Sequence, residues 1–188
     1  MKIYPVLFLF LFSQLSYGQV KTKNVLIAYY SKTANTKILA EEVAKGAMAI
    51  PGVQVVLKNI AQTTTKDLLD ADAIIIGSPV YNANLAPEVV QFMSAWPFEG
   101  NPLKDKIGAA FVTAGGISAG EELAQVNLLH SMLIFGMIVV GGDDWTSPFG
   151  ASAITNEGVF KTGQLDKIFL QKGFNLGKRV ATIALKMK

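Results

Sequence analysis

The stretch Val25-Leu-Ile-Ala-Tyr-Tyr30 runs directly into Ser31-Lys-Thr-Ala-Asn-Thr36, and a helical pattern begins at Lys37. A short apolar run that ends in small polar residues just before a helix predicts a strand, a loop and a helix in direct succession. Such a unit aims backbone N–H groups and the positive end of a helix at one point, which suits a phosphate. An ordinary capped βα turn explains this segment alone equally well, because Ser, Thr and Asn are the usual N-cap residues.

One missing motif in this loop limits which phosphate ligands it can bind. It has no glycine–lysine–serine/threonine ending, so a nucleoside triphosphate with magnesium is disfavoured. A single phosphate, as in a mononucleotide cofactor, remains. The hydroxyls of Ser31, Thr33 and Thr36 and the amide of Asn35 are the candidate donors to its oxygens.

Composition limits the class of protein. The chain has 188 residues, of which 51% are hydrophobic and 16% charged, so one compact domain with a buried core is expected. A net charge of +3, spread along the chain, does not indicate a nucleic-acid partner. The absence of cysteine excludes disulfides, iron–sulfur clusters and thiolate zinc sites, and the single histidine, His130, cannot build an ordinary zinc site. No metal is expected.

Residues 1–18 have the pattern of a secretory signal peptide. Lys2 precedes an apolar run from Val6 to Phe12, and Ser16-Tyr-Gly18 is an exit of small or polar residues. The run is too short for a spanning helix, although an uncleaved anchor is the alternative. We therefore expect a domain at residues 19–188, periplasmic or extracellular, with no stable membrane span once the leader is cleaved.

The rest of the chain alternates between strand and helix patterns. Strands are predicted at Asn24–Tyr30, Val53–Leu57, Ala73–Ile76, Ile107–Thr113 and Met137–Val140. Helices are predicted at Thr36–Met48, Lys66–Asp70, Pro87–Trp96, Glu121–Phe135 and Leu165–Lys186. This alternation predicts a three-layer α/β domain, with a parallel sheet and helices on both faces.

Two more loops at the carboxyl ends of strands have suitable chemistry for a site. In Gly77–Asn84, Gly77 and Pro79 are expected to restrict a tight turn, and Tyr81 offers an aromatic face. In Thr113–Ser118, paired glycines allow backbone N–H groups to approach the rim of a ring. Ordinary turns explain each loop taken singly. Their position with the first loop at one edge of the sheet favours a binding site there.

Five segments, in order, resemble those of one family. Thr33-Ala-Asn-Thr36 resembles a Thr-Gly-Asn-Thr phosphate loop, and Gly77–Tyr81 and Thr113–Gly116 resemble the two loops that flank a flavin ring. The segments 130–140 and 147–152 resemble a His-x-Met-Leu helix with its following strand and a Ser-Pro-Tyr-Gly-Ala loop. The chain is thus similar to the flavodoxin-like superfamily, and more narrowly to WrbA-type NAD(P)H:quinone oxidoreductases and FMN reductases.

The resemblance implies a five-stranded parallel sheet in the order 2-1-3-4-5 and noncovalently bound FMN. It implies cofactor contacts from fourteen positions: Ser31, Thr33, Ala34, Asn35, Thr36, Ser78, Pro79, Val80, Tyr81, Asn82, Thr113, Ala114, Gly115 and Gly116. Tyr81 and His130 are the implied catalytic residues. A core or helix-end role is the equally weighted alternative for a lone histidine on a largely apolar helix.

The implied reaction is a two-electron reduction of quinones with NAD(P)H as co-substrate, in a homodimer or homotetramer. Two departures from the family bear on this expectation. Ala34 stands where glycine is usual, at a cost of about 1–2 kcal/mol if φ there is positive. Tyr81-Asn82-Ala83 replaces the usual Arg-Phe-Gly. A flavodoxin-like electron carrier and a flavin-free interaction module are the alternative functions.

Overall fold

The computed structural model describes residues 22–187, so the predicted leader lies outside the described residues. Within them, the strands are Lys23–Tyr29 (β1), Val53–Asn59 (β2), Ala73–Tyr81 (β3), Asn84–Leu85 (β4), Ile107–Ala114 (β5), Ile138–Val139 (β6) and Ala151–Ile154 (β7). The α-helices are Asn35–Met48 (α1), Thr65–Asp70 (α2), Pro87–Ser94 (α3), Glu121–Ile134 (α4) and Lys167–Lys186 (α5).

The sheet has the predicted order. Strands β2, β1, β3 and β5 lie side by side in parallel, and β6 and β7 both pair in parallel with β5 at the next position. Helices α1 and α5 cover one face, while α3 and α4 cover the other. The doubly wound α/β fold is confirmed, and its strand carboxyl ends meet at one edge, where ligands bind in such sheets.

Alternate residues of the central strands fill the two cores. Ile75 packs on the side of α1 and α5, and Ile74 and Ile76 pack on the side of α3 and α4. All three are fully buried. A continuous apolar strand is what a parallel sheet covered on both faces requires, because neither side of the strand meets water.

The third strand is longer than predicted, and the tight turn expected at Gly77 and Pro79 is wrong. Strand β3 continues to Tyr81, with Pro79 paired to Thr113 of β5. The turn lies instead at Asn82 and Ala83, both with positive φ (50° and 61°), and leads into the antiparallel strand β4. Glycine and proline normally end a strand pattern, which is why the sequence misplaced this boundary.

Gly77 has a packing role within β3. A Cβ there would lie 2.0 Å from Cζ of Phe111, so the ring of Phe111 occupies the space that a side chain would need. The strand therefore requires a residue without a side chain at this position.

The fifth strand, predicted at Met137–Val140, is divided into β6 and β7. Strand β6 pairs with the start of β5 at Ile107–Gly108, and β7 pairs with its end at Phe111–Ala114. The residues between them leave the edge and return at Gly150, whose φ of 126° turns the chain back into the sheet. Two of the six residues in the segment predicted as a Ser-Pro-Tyr-Gly-Ala-type loop, Ala151 and Ser152, are therefore strand.

The other predicted elements are confirmed with shifts of one or two residues at several ends. None of the helices formed by residues 22–187 has the length and apolar character that a membrane crossing requires. In the same residues, His, Asp and Glu side chains do not gather in threes that could ligate a metal ion.

Candidate functional site

The first loop leaves the N-terminus of α1 without a side-chain cap. Ala34 is the N-cap and has a φ of 66°, the left-handed conformation that favours glycine. Its methyl group cannot cap the helix, and no side chain in the described residues does so. The first N–H groups of a helix have no partner within it. Those of α1 are therefore available to an anion at the carboxyl edge of the sheet.

Ser31 is the side chain in this loop that lacks a partner. Its Oγ is buried and makes no hydrogen bond to any described residue. A buried hydroxyl without a partner costs about 1–3 kcal/mol, so such groups are rare unless a ligand or water completes them. A phosphate at the start of α1 would be such a ligand.

Asn35 closes the loop. Its Nδ2 donates to Oγ1 of Thr33 over 3.3 Å, and its Oδ1 accepts from the backbone N–H of Gly163 over 2.7 Å. Asn35 is only 5% exposed. The amide thus fixes the loop from within, while the hydroxyl hydrogen of Thr33 remains available to a ligand.

The first and third loops are joined through two threonines. Oγ1 of Thr36 lies 2.8 Å from Oγ1 of Thr113, and both residues are buried. This contact holds the start of α1 beside the end of β5, so two of the three predicted loops share one edge as expected.

The second loop contributes a hairpin. Ser78 is fully buried; its Oγ donates to the Pro79 carbonyl over 2.8 Å and accepts from the Ala86 N–H over 3.1 Å. Those bonds give Ser78 a structural role in holding the hairpin. Pro79 is also buried, Val80 is partly buried, and Asn82 at the tip is exposed.

The hairpin tip lies against the start of α4. A Cβ on Gly120, the N-cap of α4, would lie 2.6 Å from Cα of Ala83. Burial, followed by the charge of Glu88, raises the pKa of the nearby Tyr81 phenol, so Tyr81 is a neutral hydrogen-bond donor at physiological pH. The structure therefore brings the tip of the second loop to the start of α4, which follows directly after the third loop.

The third loop contains the most open position of the site. Thr113 and Ala114 are buried at the end of β5, whereas a Cβ on the exposed Gly115 would meet no atom within 4 Å. At Gly116 the space is taken by the carboxylate of Glu157, which also accepts the N–H of Ile117. The sequence does not mark Glu157 as a site residue, because a single acid before a glycine matches no known motif.

Tyr30 and Glu88, a hydrogen-bonded pair that the sequence did not reveal, lie beside the first loop. The hydroxyl of Tyr30 donates to Oε1 of Glu88 over 2.7 Å, which raises the pKa of Tyr30 to about 12. The same hydrogen bond lowers the pKa of Glu88. The pair borders a groove of about 330 Å³ that Ile60 and Phe92 also line.

His130 lies apart from these loops within one chain. It is exposed on α4, about 13 Å along the helix from Glu121 at about 1.5 Å per residue. Because α4 starts beside the third loop and runs away from it, His130 lies towards the opposite edge of the sheet. A core role for this histidine is wrong because the side chain is exposed, while the helix-end alternative and the catalytic role both stay predictions.

Comparison with known proteins shows the family to which the chain belongs. Residues 51–152 match the model of the family described as NADPH-dependent FMN reductase, a span that includes the second and third loops. A flavodoxin from Aquifex aeolicus is 33% identical over 126 residues, covering 64% of this chain and 66% of that protein. An NAD(P)H dehydrogenase (quinone) from Geotalea daltonii is 28% identical over 203 residues, covering 87% of this chain and 97% of its own.

Among solved structures, a WrbA-like flavodoxin protein from Agrobacterium tumefaciens superimposes with a TM-score of 0.72. It is 20% identical, and the match covers 89% of this chain and 100% of that one. At this identity the likeness shows the fold alone.

Proposed function

Because this chain belongs to the NADPH-dependent FMN reductase family, we propose that it binds FMN noncovalently and catalyses two-electron reduction of a quinone with NADH or NADPH. The observation that carries the proposal is the unpartnered, buried Oγ of Ser31 beside the uncapped start of α1. That arrangement leaves a hydroxyl and several backbone N–H groups without partners at one place, which fits a phosphate monoester.

The residues present fit FMN along the whole edge. The N–H groups at the start of α1, with the hydroxyls of Ser31 and Thr33, would hold the phosphate. The open space at Gly115 would accept the ring. When bound, the flavin supplies the acceptance and donation of a hydride. The chain's task is to orient the ring, to exclude water from it and to present neutral donors such as Tyr81.

The quinone is the more specific part of the proposal. It is supported by the printed name of the Geotalea protein, whose match extends over 87% of this chain. The second candidate function, an electron carrier without turnover of its own, is supported by the Aquifex flavodoxin. Against a carrier, such proteins are usually acidic to match basic partners, and this chain has a calculated pI of about 9.0.

The experiment has two stages. The purified chain is titrated with FMN while flavin fluorescence is recorded, and tight one-to-one quenching is expected. The loaded protein is then mixed with an excess of NADH or NADPH and a benzoquinone, and many turnovers per flavin are expected. Tight binding without turnover would favour the carrier. Absence of binding would favour the flavin-free interaction module.

We also propose self-association into a dimer or tetramer. Three apolar side chains at the surface of α3 and α4 support it: Val90, Leu133 and Ile134 are 50%, 51% and 68% exposed. His130 also lies on α4, and it would reach a flavin only if that flavin were bound to a neighbouring copy of the chain. Sedimentation velocity of the wild type and of Ile134→Lys tests this, since a charge there is expected to shift the population to monomer.

Export is proposed on the sequence pattern of residues 1–18. Expression of the full chain in a bacterial host, followed by mass spectrometry of the periplasmic fraction, tests it. A product that begins after Gly18 is expected, and an intact chain confined to the cytoplasm would contradict the proposal.

A further inference from the structure

The edge of the sheet continues beyond β7 in a way that fixes one acidic residue. The N–H of Thr155 donates to the carbonyl of Ala114, and the N–H of Asn156 donates to the carbonyl of Gly115, each over 2.9 Å. These bonds extend the pairing with β5 into the third loop. These backbone hydrogen bonds therefore position the next residue, Glu157, beside Gly116 and Ile117.

The carboxylate of Glu157 engages one of the backbone N–H donors of the third loop, that of Ile117. Its Oε2 is 2.7 Å from the position that a Cβ on Gly116 would take. A negative charge and an engaged N–H thus lie at the edge where the proposed FMN ring would sit.

The far end of the same segment is also anchored. The N–H of Gly163 donates to Asn35 in the first loop over 2.7 Å, and Oγ1 of Thr162 donates to the carbonyl of Thr155 over 3.1 Å. The segment 156–163 thus links the phosphate loop to the third loop. The segment that contains Glu157 is anchored at both ends, which restricts the position of this carboxylate more than that of an ordinary surface acid.

We propose that Glu157 lowers the midpoint potential of bound FMN, an inference that rests on the proposed function. Reduction by a reduced nicotinamide brings two electrons and one proton to the ring and releases the oxidised nicotinamide, so the reduced flavin carries one more negative charge. A fixed carboxylate beside the third loop disfavours that extra charge. By holding the N–H of Ile117, it also removes a donor that would stabilise it.

The test compares the affinities of oxidised and dithionite-reduced FMN for the full wild-type chain and for Glu157→Gln. Glutamine keeps the size of the side chain and removes the charge. Reduced FMN is expected to bind the variant about tenfold more tightly, while the affinity for oxidised FMN changes by less than about threefold. A tenfold change in this ratio raises a two-electron midpoint potential by about 30 mV, which a redox titration measures independently.

Two controls isolate the charge. Glu99→Gln removes an exposed acid from a loop that makes none of these contacts, and its affinity ratio should match the wild type. The effect of Glu157→Gln should shrink as ionic strength rises, because exposed charges are screened.

The outcomes separate this inference from the function on which it rests. If FMN binds but Glu157→Gln and Glu99→Gln give the same ratio, Glu157 does not tune the flavin and only this inference is lost. If wild-type chain binds no FMN in either redox state, both the inference and the proposed function are overturned.

Discussion

Oγ1 of Thr36 and Oγ1 of Thr113 lie 2.8 Å apart in a buried contact that joins the first helical turn of α1 to the end of β5. Each hydroxyl satisfies the other away from water. The contact therefore fixes the distance between the first loop and the third loop without help from a ligand.

Valine has nearly the same shape as threonine, so replacing either threonine by valine leaves the hydroxyl of the other without a hydrogen-bond partner. Thr36→Val and Thr113→Val are each expected to lower the free energy of unfolding by about 1–3 kcal/mol. The double variant should lose less than the sum, because no unpaired hydroxyl remains. Urea unfolding of the four proteins measures the coupling, and strictly additive losses would argue against the bond.

Ser31→Ala separates binding from stability. Removing a buried hydroxyl that has no partner should leave the free energy of unfolding unchanged or slightly higher. The affinity for FMN should fall about tenfold or more, as a bond to a charged group is worth about 1.5–3 kcal/mol. Ser94→Ala, on the exposed face of α3, is the matched control for both measurements. Equal FMN affinity in the two variants would remove Ser31 from the phosphate site.

Ala34→Gly should stabilise the protein. The φ of 66° costs alanine about 1–2 kcal/mol, and glycine returns part of this through its greater freedom in the unfolded chain, which leaves a gain of about 0.5–1 kcal/mol. Ala49→Gly is the control, because Ala49 has a φ of −69° and should lose about 0.5–1 kcal/mol. Thermal and urea unfolding report both changes, and the same sign in the two variants would contradict the prediction.

Gly77→Ala tests whether Gly77 serves packing or a turn. A methyl group would lie 2.0 Å from the ring of Phe111, so a loss of about 1–3 kcal/mol or more is expected. Gly115→Ala, which meets open space, should change stability by less than about 0.5 kcal/mol. Adding Phe111→Leu to Gly77→Ala should recover part of the loss. A well-tolerated Gly77→Ala would show that the contact is not restrictive.

Lowering the pH should decrease the free energy of unfolding through protonation of Asp67. The hydrogen bond from Lys58, followed by those from Thr64, lowers the pKa of Asp67 to about 2. Since the unfolded pKa is about 4, this carboxylate stabilises the fold at neutral pH, and the contribution is lost as pH falls from about 4 through 2. The difference in urea stability between wild type and Asp67→Asn should therefore shrink over that range.

Lys58→Met supplies the control for the acid effect. In that background the main cause of the lowered pKa is absent, so Asp67→Asn should show a weaker dependence on pH. An identical pH profile in both backgrounds would assign the effect to the Thr64 bonds instead.

The sequence was sufficient for the fold, because apolar runs and helix periods are local signals. It also predicted the loop that precedes α1 and suggested a positive φ at Ala34, which the structure has. The order of the strands also followed from family likeness. These features depend on neighbouring residues or on motif order, both of which one sequence displays.

The parts that the sequence missed depend on distant contacts. Gly77 was taken for a turn because its neighbour in space, Phe111, is far along the chain. The division of the fifth strand depends on a chain reversal at Gly150, and the position of Glu157 depends on the pairing of Asn156 with Gly115. No local pattern reports such pairings.

The bond between Asn35 and Gly163 joins residues that are 128 positions apart. At a synthesis rate of about 5–20 residues per second, the later partner appears on the order of ten seconds after the earlier one. The first loop therefore cannot take its final form before Gly163 has been made. A chain truncated before Gly163 would lack this bond, and on the proposed function it should bind FMN less tightly than the full chain.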